Sequence, residues 1–311
     1  MVLVTVQRRF IGRSLVRIRH LSSSSLSSGN GGIRANKLIR DAGICSRREA
    51  DEYLSRGWVK VREANGILRI VEKGERLPLD AEFVVSGKAT RDHRKKVTIA
   101  LNKPTGYISV AVDSRDRRQG RRNQEEHQGS RRKSSKIRPA RNLLSWKNQA
   151  ESCTYRGIEP IKLRRLGCLG RLDVQSTGML LLTQDGRLPP RVIGDVHERV
   201  EKYYKVEASV AGATRFSAVD AASMLAHGIR LDGEALLPAV VDCFEVADRD
   251  VHFSIRLIEG KNRQIRRMCE FLGLRVTKLN REAIGGLRLG ELKLGEWKVL
   301  SEEEVDSLFE R

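Results

Sequence analysis

Residues 179–182 read MLLL, an unbroken apolar run in a 311-residue chain whose formal net charge is +20. Such a run predicts a strand buried on both faces. From residue 166 to the end, the patterning around it is that of a folded α/β unit. Residues 200–210 alternate, with Tyr204, Val206, Ala208 and Val210 on one face and Tyr203, Lys205, Glu207 and Ser209 on the other. Val251, Phe253, Ile255 and Leu257 alternate again. Residues 214–226 are predicted helical, with Phe216, Val219 and Leu225 facing inward. Ile265, Met268, Cys269 and Leu272 fall at i, i+3, i+4 and i+7. That spacing predicts a helix with one buried stripe, leaving Arg263, Arg266 and Arg267 off it. Ser301 with Glu304 predicts the cap of a last short helix.

The N-terminal part divides in two. Residues 1–32 hold five arginines and no acid, alternate Arg with apolar residues, and end in serines. That is the composition of an organelle transit peptide, mitochondrial first and plastid second, and it is expected to be disordered and outside the fold. From residue 33, Leu38, Ile39 and Ala42 repeat at helical spacing until Gly43 stops the helix. The sequence SRRE at 46–49 is a capping-box signature opening a second helix, with Ala50, Tyr53 and Leu54 inward. Gly57 ends it, and strand-turn-strand patterning follows to about Gly87. The helix starts and loops carry Arg34, Lys37, Arg40, Ser46, Arg47, Arg48, Arg56 and Lys60. Basic groups there suit phosphate contact, and equally suit a solvated basic face.

Residues 97–101 predict a strand, and the KPTG that ends in Gly106 a turn. Between 113 and 149 there are twelve Lys or Arg against four Asp or Glu, in a Gly-, Ser- and Arg-rich context. This reads as a disordered basic insertion.

An excess of 59 Lys and Arg over 39 Asp and Glu favours a polyanionic partner, nucleic acid before anionic membrane. No apolar run approaches the roughly 18–20 residues that span a bilayer, and no basic amphipathic helix stands out after the leader. The five cysteines form no CxxC pair, and His197, His227 and His252 are not spaced as ligands. Neither a zinc site nor a disulfide framework is expected, and Cys168 reads as a small buried thiol. Hydrolytic RNA cleavage would want a metal site or a histidine pair.

Asp173 stands just ahead of the apolar run, after glycines at 167 and 170. A carboxylate beside a buried strand must become neutral or find a cation. Arg165, Arg171 and the arginines at 263–267 are available. Alone, the default reading is a structural ion pair, and catalysis is the less common one. Tyr204 sits on the apolar face of its strand, so its hydroxyl needs a buried partner or a ligand. EGKNRQIRRM places a glycine and many donors at a helix start. Together these outline an acid, a phenol and a guanidinium on a basic surface.

The stretch R-x-N-K…GICSRREAD…G-x-V-x-V resembles an S4 RNA-binding domain, with its usual tight turn loosened to VKVREANG. GRLDVQSTGMLLLTQDG, EKYYKV, EGKNRQIRRMCEFLG and LGELKLGEWKVLSEEEVDSL follow in order, and resemble the RsuA-type branch of RNA pseudouridine synthases. The resemblance implies an α+β chain: a small S4 domain at 33–90, then a pseudouridine synthase domain at 95–311. The second is built on a mainly antiparallel sheet with flanking helices and is interrupted by the insertion at 113–149. It implies conversion of uridine to pseudouridine in ribosomal RNA, leaning to the large subunit, with no cofactor and no metal. It maps the nucleophile onto Asp173, the tyrosine near the target base onto Tyr204, and the partner of the aspartate onto Arg266. Lys103, Arg165, Arg171, Arg263 and Arg267 are then expected near RNA phosphates, Thr177 and Gly178 are expected to shape the turn, and the chain is expected to be a monomer. The rival is an S4-containing, non-catalytic ribosome assembly factor.

Overall fold

The computed structural model describes residues 14–17, 32–87, 89, 96–109, 138–194, 200–210, 218–227 and 229–310. Most of the expected leader, the expected insertion up to residue 137 and the start of the helix expected at 214–226 lie outside the described residues. The chain divides into two compact units.

The first unit holds the residues up to Val97 together with Gln184–His197. Helix α1 (Ala35–Asp41) and helix α2 (Arg47–Ser55) pack Leu38, Ile39, Tyr53 and Leu54 into a core with Val59 and Phe83. The capping box forms as the sequence predicts. The Ser46 hydroxyl accepts from the Glu49 amide at 3.2 Å, and the Glu49 carboxylate accepts from the Ser46 amide at 2.9 Å. Gly43 and Gly57 both take positive φ where the helices end. Residues 1–32 were expected to be disordered and outside the fold, yet four of them form β1 (Ser14–Arg17) and pair with β4 (Glu82–Val85). With β2 (Val59–Arg62) and β3 (Leu68–Ile70) they make an antiparallel sheet in the order β1-β4-β2-β3.

Gln184–His197 was expected inside the catalytic domain, yet it groups with this unit. Gly186 comes so close to the start of α2 that a Cβ on it would lie 2.2 Å from the Ser46 Cβ. A side chain could not be seated there, so glycine permits the contact. Helix α3 (Leu188–Ile193) follows and buries Leu188 and Val192. Nearby, Lys96 pairs with the buried Glu49.

The second unit holds Thr98–Thr183 and Glu198–Arg311. Its main sheet has nine strands. These are β5 (Thr98–Lys103), β6 (Gly167–Leu169), β7 (Thr177–Thr183), β8 (Lys202–Val210), β9 (Val240–Ala247), β10 (Asp250–Leu257), β11 (Leu274–Ile284), β12 (Leu287–Arg288) and β13 (Trp297–Val299). The path runs β9-β10-β8-β11-β7-β5-β13, with β6 also on β7 and β12 also on β11. Every pairing is antiparallel except β7 with β11.

β7 lies in the middle, and residues 178–183 of it are buried, as the MLLL run predicts. One core joins Val206, Phe253, Ile255 and Leu257 of the sheet to Leu225 of helix α4 (Ala218–Ala226) and to Ile265, Met268, Cys269 and Leu272 on or just after helix α5 (Gln264–Phe271). Helix α6 (Glu302–Ser307) carries the predicted Ser301–Glu304 capping box.

Two further sequence expectations change. The sequence predicts disorder over about 113–149, but residues 138–149 are folded, with Ala140 and Leu144 buried. The Trp297 indole, itself buried, donates to the Ser145 carbonyl at 2.8 Å and anchors this stretch. Gly178 shapes no turn. It lies within β7, opposite Arg281 of β11.

Candidate active site

Asp173 lies on the short loop between β6 and β7, and its side chain is 30% exposed. The loop is pinned at several points. The Ser109 hydroxyl donates to the Leu172 carbonyl at 2.7 Å and accepts from the Leu172 amide at 2.8 Å. The Ser176 amide donates to the Asp173 carbonyl at 3.1 Å, and the Gly106 amide to the Val174 carbonyl at 2.9 Å. Arg266 Nη2 donates to the Gln175 carbonyl at 3.1 Å. A catalytic side chain on a loop held this way loses little freedom when a substrate arrives.

Two arginines converge on the carboxylate. Arg266 Nε stands 3.9 Å from Asp173 Oδ2, and Arg263 Nη1 stands 3.8 Å from the same oxygen. These are ion pairs just beyond hydrogen-bond length. The stripe expected on α5 put Arg266 on the wet side. The structure buries its side chain to 9% exposure, held by the Val276 carbonyl at 3.2 Å as well as by Gln175. Burial, then the neighbouring charge of Arg263, pulls its pKa down, while Asp173 pulls it up. Its Nε is buried without a hydrogen-bond partner, and it is the atom nearest Asp173. Arg263 reaches the site from a left-handed residue at the helix start, φ 49°. A non-glycine residue held there is strained, a feature that concentrates at functional sites.

Lys103 was expected at a flanking phosphate. It is fully buried instead, and its Nζ donates to the Pro104 carbonyl at 2.8 Å and the Tyr107 carbonyl at 3.0 Å. Burial lowers its pKa to about 8, against the attraction of Asp173 and with the repulsion of Arg281. As the last residue of a central strand, it is drawn inside by β5. Arg267 is also diverted, since its guanidinium grips Asp232 at 2.6 and 3.0 Å. Arg165 and Arg171 are exposed near the loop.

In the first unit Arg34, Lys37, Arg47, Arg48, Arg56 and Lys60 are exposed, whereas Ser46 is occupied by its cap. Arg56 leans over Trp58 at 4.8 Å and pairs with Glu52.

The Tyr204 hydroxyl finds its buried partner in Arg281, whose Nη1 is 3.5 Å away. Sequence reasoning missed Arg281 and Ser109. The signal for Arg281 was available: on β11, Leu279, Arg281 and Ala283 follow the apolar alternation, with a charge in the middle. Ser109 carries no such signal.

Beside the Asp173 loop lies a cleft of about 470 Å³ lined by Thr105, Gly106, Val174, Gln175, Arg266, Val276 and Thr277. Its volume falls within the range of small-molecule sites, and Arg266 is the site residue that lines it. Among the described residues no three His, Cys, Asp or Glu side chains are grouped to hold a metal ion.

The chain matches the family model described as RNA pseudouridylate synthase over residues 97–271. It is 30% identical to the dual-specificity RNA pseudouridine synthase RluF of Salmonella typhi, over 89% of this chain and 78% of that one. It is 36% identical to the ribosomal small subunit pseudouridine synthase A of Vibrio vulnificus, over 89% and 100%. It is 29% identical to the ribosomal large subunit pseudouridine synthase B of Bacillus subtilis, over 88% and 95%. A crystal structure of a pseudouridylate synthase shares the fold with a TM-score of 0.52 at 22% identity, covering 89% of this chain and 100% of that one. A central mixed sheet, a pinned aspartate loop and these matches agree, and the chain belongs to the RNA pseudouridine synthases, in their RsuA-type branch.

Proposed function

We propose that this chain converts a specific uridine of organellar ribosomal RNA to pseudouridine, with Asp173 as the nucleophile. The observation that carries the reading is a half-buried carboxylate on a fixed loop, within 4 Å of two arginines and beside a cleft of small-molecule size. The reaction breaks the N1–C1′ bond and joins C1′ to C5. C5 loses a proton, and N1 gains one. Nothing is oxidised, so the chemistry asks for an ionised carboxylate and a proton path.

Asp173 attacks C1′, displacing the uracil through N1, or adds to C6 of the ring, and its bond to the substrate breaks again by the time C1′ is joined to C5 and the C5 proton has left. Arg266, 3.9 Å from Asp173 Oδ2 and itself buried, faces the carboxylate with a positive charge and orients it. Tyr204 lies against the base and moves a proton. The uridine must leave its stack at a cost of about a few kcal/mol. Contacts from Arg165, Arg171 and Arg263 to neighbouring phosphates offset that cost.

The activities of the relatives support ribosomal RNA as substrate and divide between the two subunits. The wording GICSRREAD and RQIRRMCEFLG inclines the assignment to the large subunit. The acid-free, arginine-rich leader supports import into the mitochondrion, with the plastid as the alternative. The S4-like pattern and exposed basic residues of the first unit support RNA binding there, and the family resemblance implies a monomer.

Pseudouridine mapping of organellar and cytosolic RNA tests the reading, in cells lacking the protein and in cells carrying Asp173→Asn. One ribosomal site should lose its pseudouridine in both, naming substrate and compartment together. If modification is unchanged in both while ribosome assembly fails only without the protein, it is a non-catalytic assembly factor instead.

A further inference from the structure

Arg281 is 2% exposed, among the largest side chains wholly inside the molecule. Its Nε donates to the Met179 carbonyl of β7 at 2.8 Å. Its Nη1 stands 3.5 Å from both the Tyr204 hydroxyl and the Arg171 carbonyl, and its Nη2 is buried with no hydrogen-bond partner. The ion pairs of the site run from Asp173 to Arg263 and Arg266, and none of them reaches Arg281. Its charge is nevertheless felt by Lys103 and by Cys168.

A buried, uncompensated guanidinium is costly, and an apolar side chain of similar volume is often as stabilising or better. Stability therefore does not explain an arginine here. What its contacts do share is the site. Arg171 is two residues before Asp173, and Tyr204 is the phenol assigned to the base. A guanidinium can only donate. Tyr204 Oη must accept in this contact, so its own proton is directed elsewhere.

We propose that Arg281 is a positioning residue for the isomerisation: anchored on the Met179 carbonyl, it fixes the direction of the Tyr204 O–H and the height of the Asp173 loop. This rests on the assignment of Asp173 and Tyr204 above. It adds a residue that contacts neither base nor ribose and acts through Tyr204.

The test uses the full chain and ribosomal RNA transcripts carrying uridine tritiated at C5, because the reaction releases that hydrogen. Single-turnover rate and RNA affinity are measured for Arg281→Lys, Arg281→Met, Tyr204→Phe, Asp173→Asn and the Tyr204→Phe double variants, each checked by thermal unfolding. Arg281→Lys keeps the charge but cannot span Met179 and Tyr204 together. It should slow the rate by about 10–100-fold at unchanged RNA affinity. In the Tyr204→Phe background the same change should cost less than about threefold, because the interaction is already gone.

Equal losses in both backgrounds, a loss confined to RNA affinity, or failure of both Arg281 variants to fold would each make Arg281 structural and overturn the proposal. An inert Asp173→Asn beside a fully active Tyr204→Phe overturns it while leaving the nucleophile in place. A fully active Asp173→Asn overturns the site assignment itself.

Discussion

Gly178 and Arg281 face each other across the parallel pairing of β7 and β11, and a Cβ on Gly178 would lie 2.3 Å from the Arg281 carbonyl oxygen. The glycine also holds φ +103°, a conformation that side chains rarely adopt. The absence of a side chain at Gly178 thus sets the distance between the strand below the Asp173 loop and the strand that carries Arg281. Gly178→Ala should destabilise the protein by about 2 kcal/mol or more, lowering Tm by about 4–8 °C for a unit of this size. Calorimetry checks this, and an unchanged Tm would mean that the two strands separate freely.

Lys103 makes stability depend on pH on the alkaline side. Its folded pKa, about 8, lies below its ordinary value of 10.5, chiefly through burial. Between those values the unfolded chain binds the extra proton, so stability rises with pH through that window. Below about pH 8 both states are protonated, and the whole cost of burying the ammonium is felt. Urea midpoints from pH 7 to 10 should climb more steeply in the natural protein than in Lys103→Met. Parallel curves would show that Lys103 keeps its ordinary pKa inside the fold and stays charged there.

Arg266 and Arg263 approach the same oxygen of Asp173 from different environments. Arg266 is 9% exposed and Arg263 is 47% exposed. Solvent screens the second far more. Arg266→Lys should lower the single-turnover rate by about 10²-fold or more, and Arg263→Ala should mainly weaken RNA binding. The reverse ranking would make Arg263 the arginine that positions Asp173.

Arg267 is already neutralised by Asp232. Removing that carboxylate should free a cation for phosphate. Asp232→Ala is therefore expected to tighten RNA binding at low salt and to steepen the slope of log K against log salt by about one. Filter binding across a salt series measures it. A slope that does not change would place Arg267 away from the RNA.

The sequence was most legible where structure is local. The capping boxes at Ser46 and Ser301, the glycine stops at Gly43 and Gly57, the alternation of β8 and β10 and the apolar stripe of α5 all appear as their spacing predicts. Caps and periodicities depend on residues within one or two turns or on the two faces of a strand, so the local sequence encodes them. Periodicity separated the apolar stripe of α5 from its arginines, but it did not separate Arg266 from Arg267. The first is buried beneath the Asp173 loop and the second reaches Asp232. That difference depends on which distant strand lies against each side chain.

By itself the sequence determined the two N-terminal helices, the strands β5, β7, β8 and β10, the helices α5 and α6, the charge that favours a polyanion, and the motifs whose family resemblance points to Asp173, Tyr204 and Arg266. Only the tertiary structure decided that Lys103 faces inward, that Gln184–His197 packs with the first unit, and that Arg281 stands under Tyr204. The physical reason is the parallel pairing of β7 with β11. It joins Gly178 to Arg281 from far apart in the chain, and the burial of a charge follows from which strands are neighbours, a property that no local pattern carries.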